Sequence, residues 1–165
     1  MDTKRNRYER IRKQLTGLFS KTEDPVARMT TLCALLFHKM DNFFWCGFYC
    51  LRNGELTVGP YQGSLACLVL EKHAGVCWAA IDRKATVIVP DVHRFPGHVA
   101  CDPRSRSEIV IPMKNRNGEI VGVLDVDSDK PASFDEADGE ELEKIVGLIF
   151  GIEVDELISP RRSPS

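Results

Sequence analysis

The sequence predicts an α+β domain, an antiparallel sheet with helices packed on one face. Three observations predict it. Two helical stretches open the chain and one closes it, with only a short helix between the strands. The intervening segments have the length and apolar content of strands. Two Asn-Gly pairs, Asn53-Gly54 and Asn117-Gly118, mark hairpin turns, so neighbouring strands run antiparallel.

Residues 3–19 read as the first helix, with Tyr8, Ile11, Leu15 and Leu18 at helical spacing. Asp24 caps the second, and Pro25 sits in the first turn, where its missing N–H is no loss. That helix runs to about Met40, with Val26, Met29, Leu32, Cys33, Leu36 and Met40 on or near one face. FFWCGFYCLR is a strand, and ELTVGPYQG is its partner across Asn53-Gly54. ACLVLE is a third strand, GVCWAAIDRK a short helix and TVIVPD a short strand. Residues 92–106 form a long loop rich in Pro, Gly and charge, a class of loop that often carries function. EIVIPMK and EIVGVLDVD form a hairpin. Ser133, with Glu136 three residues on, reads as a capping box opening the last helix, which extends to about Leu157. SPRRSPS reads as disordered, giving one domain over 1–158 and a tail over 159–165. No segment repeats.

The chain has 165 residues, with 22 Lys and Arg against 24 Asp and Glu. That length suits one domain with a real core. A net charge of −2 offers no basic surface for nucleic acid. No apolar run reaches the roughly 18 residues of a membrane span. The charged start MDTKRNRYER contains no apolar signal region, so the expected location is cytoplasmic. Six cysteines without C-x-x-C spacing or secretory context argue against a disulfide scaffold and leave room for working thiols.

The acidic residues of the last hairpin are the first sign of chemistry. Side chains alternate along a strand, so Asp125 and Asp127 share a face. With Asn117-Gly118 as a two-residue turn, Glu108 lies opposite Asp127 and Val110 opposite Asp125. Glu108, Asp125 and Asp127 then converge on one face, while Ile109, Ile111, Met113, Leu124 and Val126 form core on the other. A turn one residue longer would slip the register and break this convergence. Three carboxylates on one face repel one another. Either that face is a solvated edge with no task, or it is a pocket for a cation, a metal or a group that needs a proton. In a pocket, repulsion and burial raise at least one carboxyl pKa, which makes a proton donor near neutral pH.

In FFWCGFYC, Trp45 and Tyr49 share one strand face, and Phe44, Cys46, Phe48 and Cys50 the other. The second set, like Cys33 in its helix, reads as core. Trp45 and Tyr49 fit either core or the apolar wall of a small-ligand pocket. Cys67, Cys77 and Cys101 differ from the buried three. Cys101 lies in the long loop with His98, Arg104 and Arg106 close in sequence, and positive neighbours lower a thiol pKa. His93, His98, Cys67, Cys77 and Cys101 are an alternative zinc set, but H-x4-H-x2-C matches no trusted zinc pattern, so no metal is expected. His38 and His73 read as ordinary surface or packing residues.

Together these segments resemble a known family. WCGFY, GPYQGSLACLVL, GVC, DVHRFPGHVACD, SEIVIP and GVLDVDS are similar to the free methionine-(R)-sulfoxide reductases, single-domain proteins of GAF fold. The resemblance runs from about the second helix to the last. It implies thiol-dependent reduction of free methionine-R-sulfoxide with no cofactor. It implies that Cys101 is the catalytic cysteine and that Cys67 and Cys77 recycle it. It also implies that Glu108, Asp125 and Asp127 are polar pocket residues and that Trp45 and Tyr49 wall the substrate's methyl end. Thioredoxin or a similar dithiol is the implied reductant. Relatives of this fold often dimerise, so a homodimer is an open expectation. Two residues depart from the family's G-x-G-V-C-G loop: His73 replaces the first glycine, and Trp78 follows Cys77. This favours Cys67 over Cys77 as the resolving partner. The alternative function is a GAF module that binds a small ligand without catalysis.

Overall fold

The computed structural model describes residues 3–98 and 101–151. Helices α1 (Lys4–Phe19) and α2 (Pro25–Lys39) precede strands β1 (Trp45–Arg52), β2 (Glu55–Gln62) and β3 (Val69–Leu70). Helix α3 (Gly75–Arg83) and strand β4 (Val87–Val89) follow, then the hairpin β5 (Ser107–Lys114) and β6 (Ile120–Ser128), and last α4 (Glu136–Gly147). The sheet order is β3-β2-β1-β6-β5-β4, and every neighbouring pair is antiparallel. The predicted fold class holds.

The two faces of the sheet bury different things. Helices α1, α2 and α4 cover one face, where Tyr8, Leu15, Leu32, Leu36, Leu142 and Ile145 meet Phe48, Ile109, Ile111 and Leu124. Cys33, Cys46 and Cys50 lie in that core as expected. The opposite face carries Trp45, Tyr49, Val110 and Val123 and is covered by α3 and the long loop. At the helix face, the Tyr8 hydroxyl donates to buried Asp138 at 2.6 Å, and Lys4 Nζ reaches the same carboxylate at 2.8 Å, tying α1 to α4.

Several predicted details are corrected. Leu18 and Val26 are exposed, and Phe19 takes the buried end of α1 instead. The last helix is capped by Asp135, not Ser133. Asp135 and Asp138 form a reciprocal capping box, and the Ser133 hydroxyl instead donates to Ser128 Oγ and to the Lys130 carbonyl in the preceding turn. A short 3-10 turn at Leu148–Phe150 follows α4, and Gly151 takes a left-handed conformation that ends it. The expected continuation to Leu157 and the tail at 159–165 lie outside the described residues.

The two hairpins turn differently. At Asn53-Gly54 both residues have positive φ and Arg52 faces Glu55, the expected two-residue turn. At the second hairpin the turn is longer. The Asn115 side chain accepts from the backbone N–H groups of Asn117 and Glu119, and Gly118 N–H donates to the Asn115 carbonyl. This local Asx geometry outcompetes the two-residue turn. A shift of register between Met113 and Lys114 takes up the extra residue, so Glu108 still faces Asp127 and Val110 faces Asp125. The convergence survives because of a bulge.

Candidate active site

Strands β1, β5 and β6 supply the floor of a cleft on the α3 side of the sheet. Trp45 faces Asp127 across the β1–β6 pair, and Glu108 faces Asp127 across β5–β6. Glu108, Asp125, Asp127, Trp45 and Tyr49 therefore line one cleft. Its lining also includes Ser64, Cys77, His98, Cys101 and Asp102. The predicted site residues come together here. Cys67 stands just behind Cys101, to which it is bonded, with their Cα atoms 5.6 Å apart. Cys77 is free and buried in the first turn of α3.

The aromatic wall is a stack of three rings. Trp45 lies between Tyr49, at 5.9 Å between centroids, and Tyr61, at 5.4 Å. Gly47 makes this possible, since a Cβ there would stand 2.5 Å from the Trp45 ring and 2.3 Å from Tyr61. Trp45 Nε1 donates to the Ser64 carbonyl, and the Tyr49 hydroxyl donates to the Cys67 carbonyl. The wall thus holds both ends of the segment that bears Cys67.

Glu108, Asp125, Asp127 and Asp102 all line the cleft, and among the described residues no lysine or arginine does. Burial, then the charge of Asp127, pushes the Glu108 carboxyl up to about 8. Burial and Glu108 push Asp125 well above the usual carboxylate range, and burial and Asp125 do the same for Asp127. Asp127 accepts from Ser105 Oγ at 3.0 Å, whereas Asp125 Oδ1 is buried with no partner. The acidic face is therefore a pocket and not a solvated edge. Asp102 differs from these three. Hydrogen bonds from Arg104 and Ser64 hold its carboxyl well below the usual range.

Three positions change the sequence-based picture. Phe44 lines the cleft instead of the helix-side core, because it precedes β1 and escapes the strand's alternation. Arg104 is engaged by Asp102 at 2.8 Å and lies over the Phe44 ring, so its charge is already paired. His98 Nε2 stands 3.7 Å from Glu108 Oε2, and burial lowers its pKa, which disfavours the cation. The Arg104 and His98 charges proposed to activate Cys101 are thus spent or suppressed. Ser64, Ser105, Tyr61 and Asp102 were missed. Only the Asp-Pro turn motif at Asp102 carried a local signal; Ser64 and Ser105 depend on the path of the loops, and Tyr61 on the irregular register of the β1–β2 pair.

Comparison with known proteins decides the family. The GAF domain family model matches residues 23–149. A Saccharomyces cerevisiae protein named free methionine-R-sulfoxide reductase is 38% identical over 140 residues, covering 81% of this chain and 78% of its own. The structure of free methionine-R-sulfoxide reductase from Neisseria meningitidis in complex with its substrate superposes with a TM-score of 0.85 at 36% identity, covering 90% of this chain and 89% of that one. This chain belongs to the free methionine-R-sulfoxide reductase family. The Staphylococcus aureus enzyme in reduced form is 40% identical, with a TM-score of 0.82 and coverage of 87% and 92%. Against the reductase family's loop pattern, His73 and Trp78 are the two departures, and they pack together with ring centroids 4.9 Å apart. His73 takes a φ of 60°, the left-handed region that the family's glycine would adopt without strain, and its Nδ1 lies 3.0 Å from Asp82.

Proposed function

We propose that this protein reduces free L-methionine-(R)-sulfoxide to methionine, with Cys101 as nucleophile. The observation that carries the proposal is a cleft with three buried carboxyls whose pKa values are all pushed up, no lysine or arginine among its described lining residues, an aromatic wall and Cys101 in the lining. A free amino acid brings the missing cation as its ammonium. The orphan Asp125 Oδ1 accepts from that ammonium, and the rings of Trp45 and Tyr49 take the methyl end. A carboxyl that keeps its proton near neutral pH donates it to the sulfoxide oxygen.

The electrons balance in three steps. The Cys101 thiolate attacks sulfur, the oxygen passes to the cysteine, and methionine leaves with Cys101 as a sulfenic acid. The Cys67 thiol attacks that sulfur, water departs and the Cys67–Cys101 disulfide forms. A dithiol then reduces the disulfide and is itself oxidised. Thioredoxin fits this last role, because exposed Leu65, Leu68 and Val69 flank Cys67 with an apolar rim. Cys77 is a reserve thiol for the recycling steps. It is buried beneath the cleft, and neighbouring carboxyls and burial push its pKa well up, so it is a poor first attacker.

Turnover of the R and S epimers with dithiothreitol as reductant tests the proposal. The R epimer is consumed, the S epimer is not, and Cys101→Ser abolishes consumption. Binding of the R epimer without turnover would leave the sensor alternative standing.

A further inference from the structure

We propose that the floor of the cleft is also a site for a thiophilic divalent cation of the zinc class, held by Cys77, Glu108 and Asp125 and exclusive of the amino acid's ammonium. The residues come from three elements: Cys77 from α3, Glu108 from β5 and Asp125 from β6. Cys77 Sγ and one carboxylate oxygen from each acid lie within 4.8 Å of one another, and all three side chains are buried. Asp125 is more than nine-tenths buried; its carboxyl meets the Glu108 carboxyl and the Cys77 thiol, yet its Oδ1 is left with no hydrogen-bond partner. Such an oxygen is costly unless something positive meets it.

The donor chemistry selects the cation. A thiolate with two carboxylates suits zinc, cobalt or cadmium, while calcium and magnesium require oxygen alone. Tetrahedral zinc needs bonds of about 2.3 Å to sulfur and about 2.0–2.2 Å to oxygen, so the three donors close inward by well under a side-chain length. Water or the nearby His98 completes the shell. On coordination the thiol proton and any proton still held by the Glu108 and Asp125 carboxyls are released to solvent, and the metal charge then offsets the carboxylates' mutual repulsion.

The site differs from the zinc set considered from the sequence, because Cys67 and Cys101 are joined to each other and cannot ligate in this state. Its consequence is inhibition. A bound cation fills the place of the ammonium and withdraws Cys77 from recycling. This inhibitory role rests on the proposed reductase activity, but the metal site itself does not.

Binding is therefore tested without turnover. The oxidised full-length protein is titrated with cobalt(II) chloride, and thiolate-to-cobalt charge-transfer absorption is followed in the near ultraviolet. One cobalt per chain with that band is expected, with zinc(II) displacing it. Cys77→Ser abolishes the band, and Asp125→Asn weakens binding by at least the roughly 10–100-fold that even an outer-shell loss costs. Adding free methionine-R-sulfoxide lowers cobalt occupancy. A band that survives Cys77→Ser overturns the site, as does cobalt binding with no thiolate band in wild type. Unchanged affinity in Asp125→Asn removes Asp125 as a ligand, and with it the proposed set. Failure of the sulfoxide alone to compete overturns the shared position.

Discussion

Replacing Glu108 by glutamine should flatten the pH dependence of stability. Glu108 is buried, and its carboxyl is pushed from 4.5 up to about 8. A raised carboxyl pKa means the folded state holds the proton longer than the unfolded chain does. Stability from this group is therefore fully present below about pH 4.5 and is lost as pH rises through about 8. For one such group the linkage integral between pH 5 and pH 9 amounts to about 4 kcal/mol. That is a large share of the roughly 5–15 kcal/mol that holds a domain folded. Glutamine keeps the size and never ionises. It also removes a negative charge from Asp125, whose own pKa Glu108 helps to raise. The variant should lose at least this part of the slope. The assay is urea unfolding of the oxidised protein at intervals from pH 5 to pH 9, wild type beside Glu108→Gln, with the Cys67–Cys101 bond intact in both. Wild type should weaken steadily across this range and the variant much less. Parallel curves for the two proteins would refute the reasoning, because they would mean that Glu108 is ionised or solvated in the folded state.

Three further outcomes are expected. Asp127→Asn should lower kcat by roughly the 10²–10⁴-fold typical of a lost general acid, with a smaller change in KM, and pH–rate profiles of wild type and variant would check it. Cys67→Ser should still reduce one equivalent of sulfoxide but turn over poorly with thioredoxin, and mass mapping of oxidised wild type should find the Cys67–Cys101 link dominant over Cys77–Cys101. Leu68→Asp should raise KM for thioredoxin while turnover with dithiothreitol stays unchanged, which steady-state kinetics with the two reductants would separate.

The sequence by itself determined the layout of the fold and the shared face of Asp125 and Asp127. Period-2 alternation places Asp125 and Asp127 on one face and Leu124 and Val126 on the other whatever else happens, because a strand offers only two sides. The same rule put Trp45 and Tyr49 together, and helical spacing located α1 and α2. These are local properties of the backbone, so they can be read from local residues. Phe44 shows the limit of this, since one residue before the strand the alternation no longer applies. The tertiary structure decided matters that depend on loop paths and on burial. Only it shows that an Asx turn lengthens the second hairpin and that a bulge restores the register. Only it places Ser64, Ser105 and Asp102 around the cleft, spends Arg104 on Asp102 and, among the described residues, lines three carboxyls with no lysine or arginine. The shifted ionisation follows from that last fact. Charge cost is set by the dielectric and the neighbours in space, and neither is written in the order of residues along the chain.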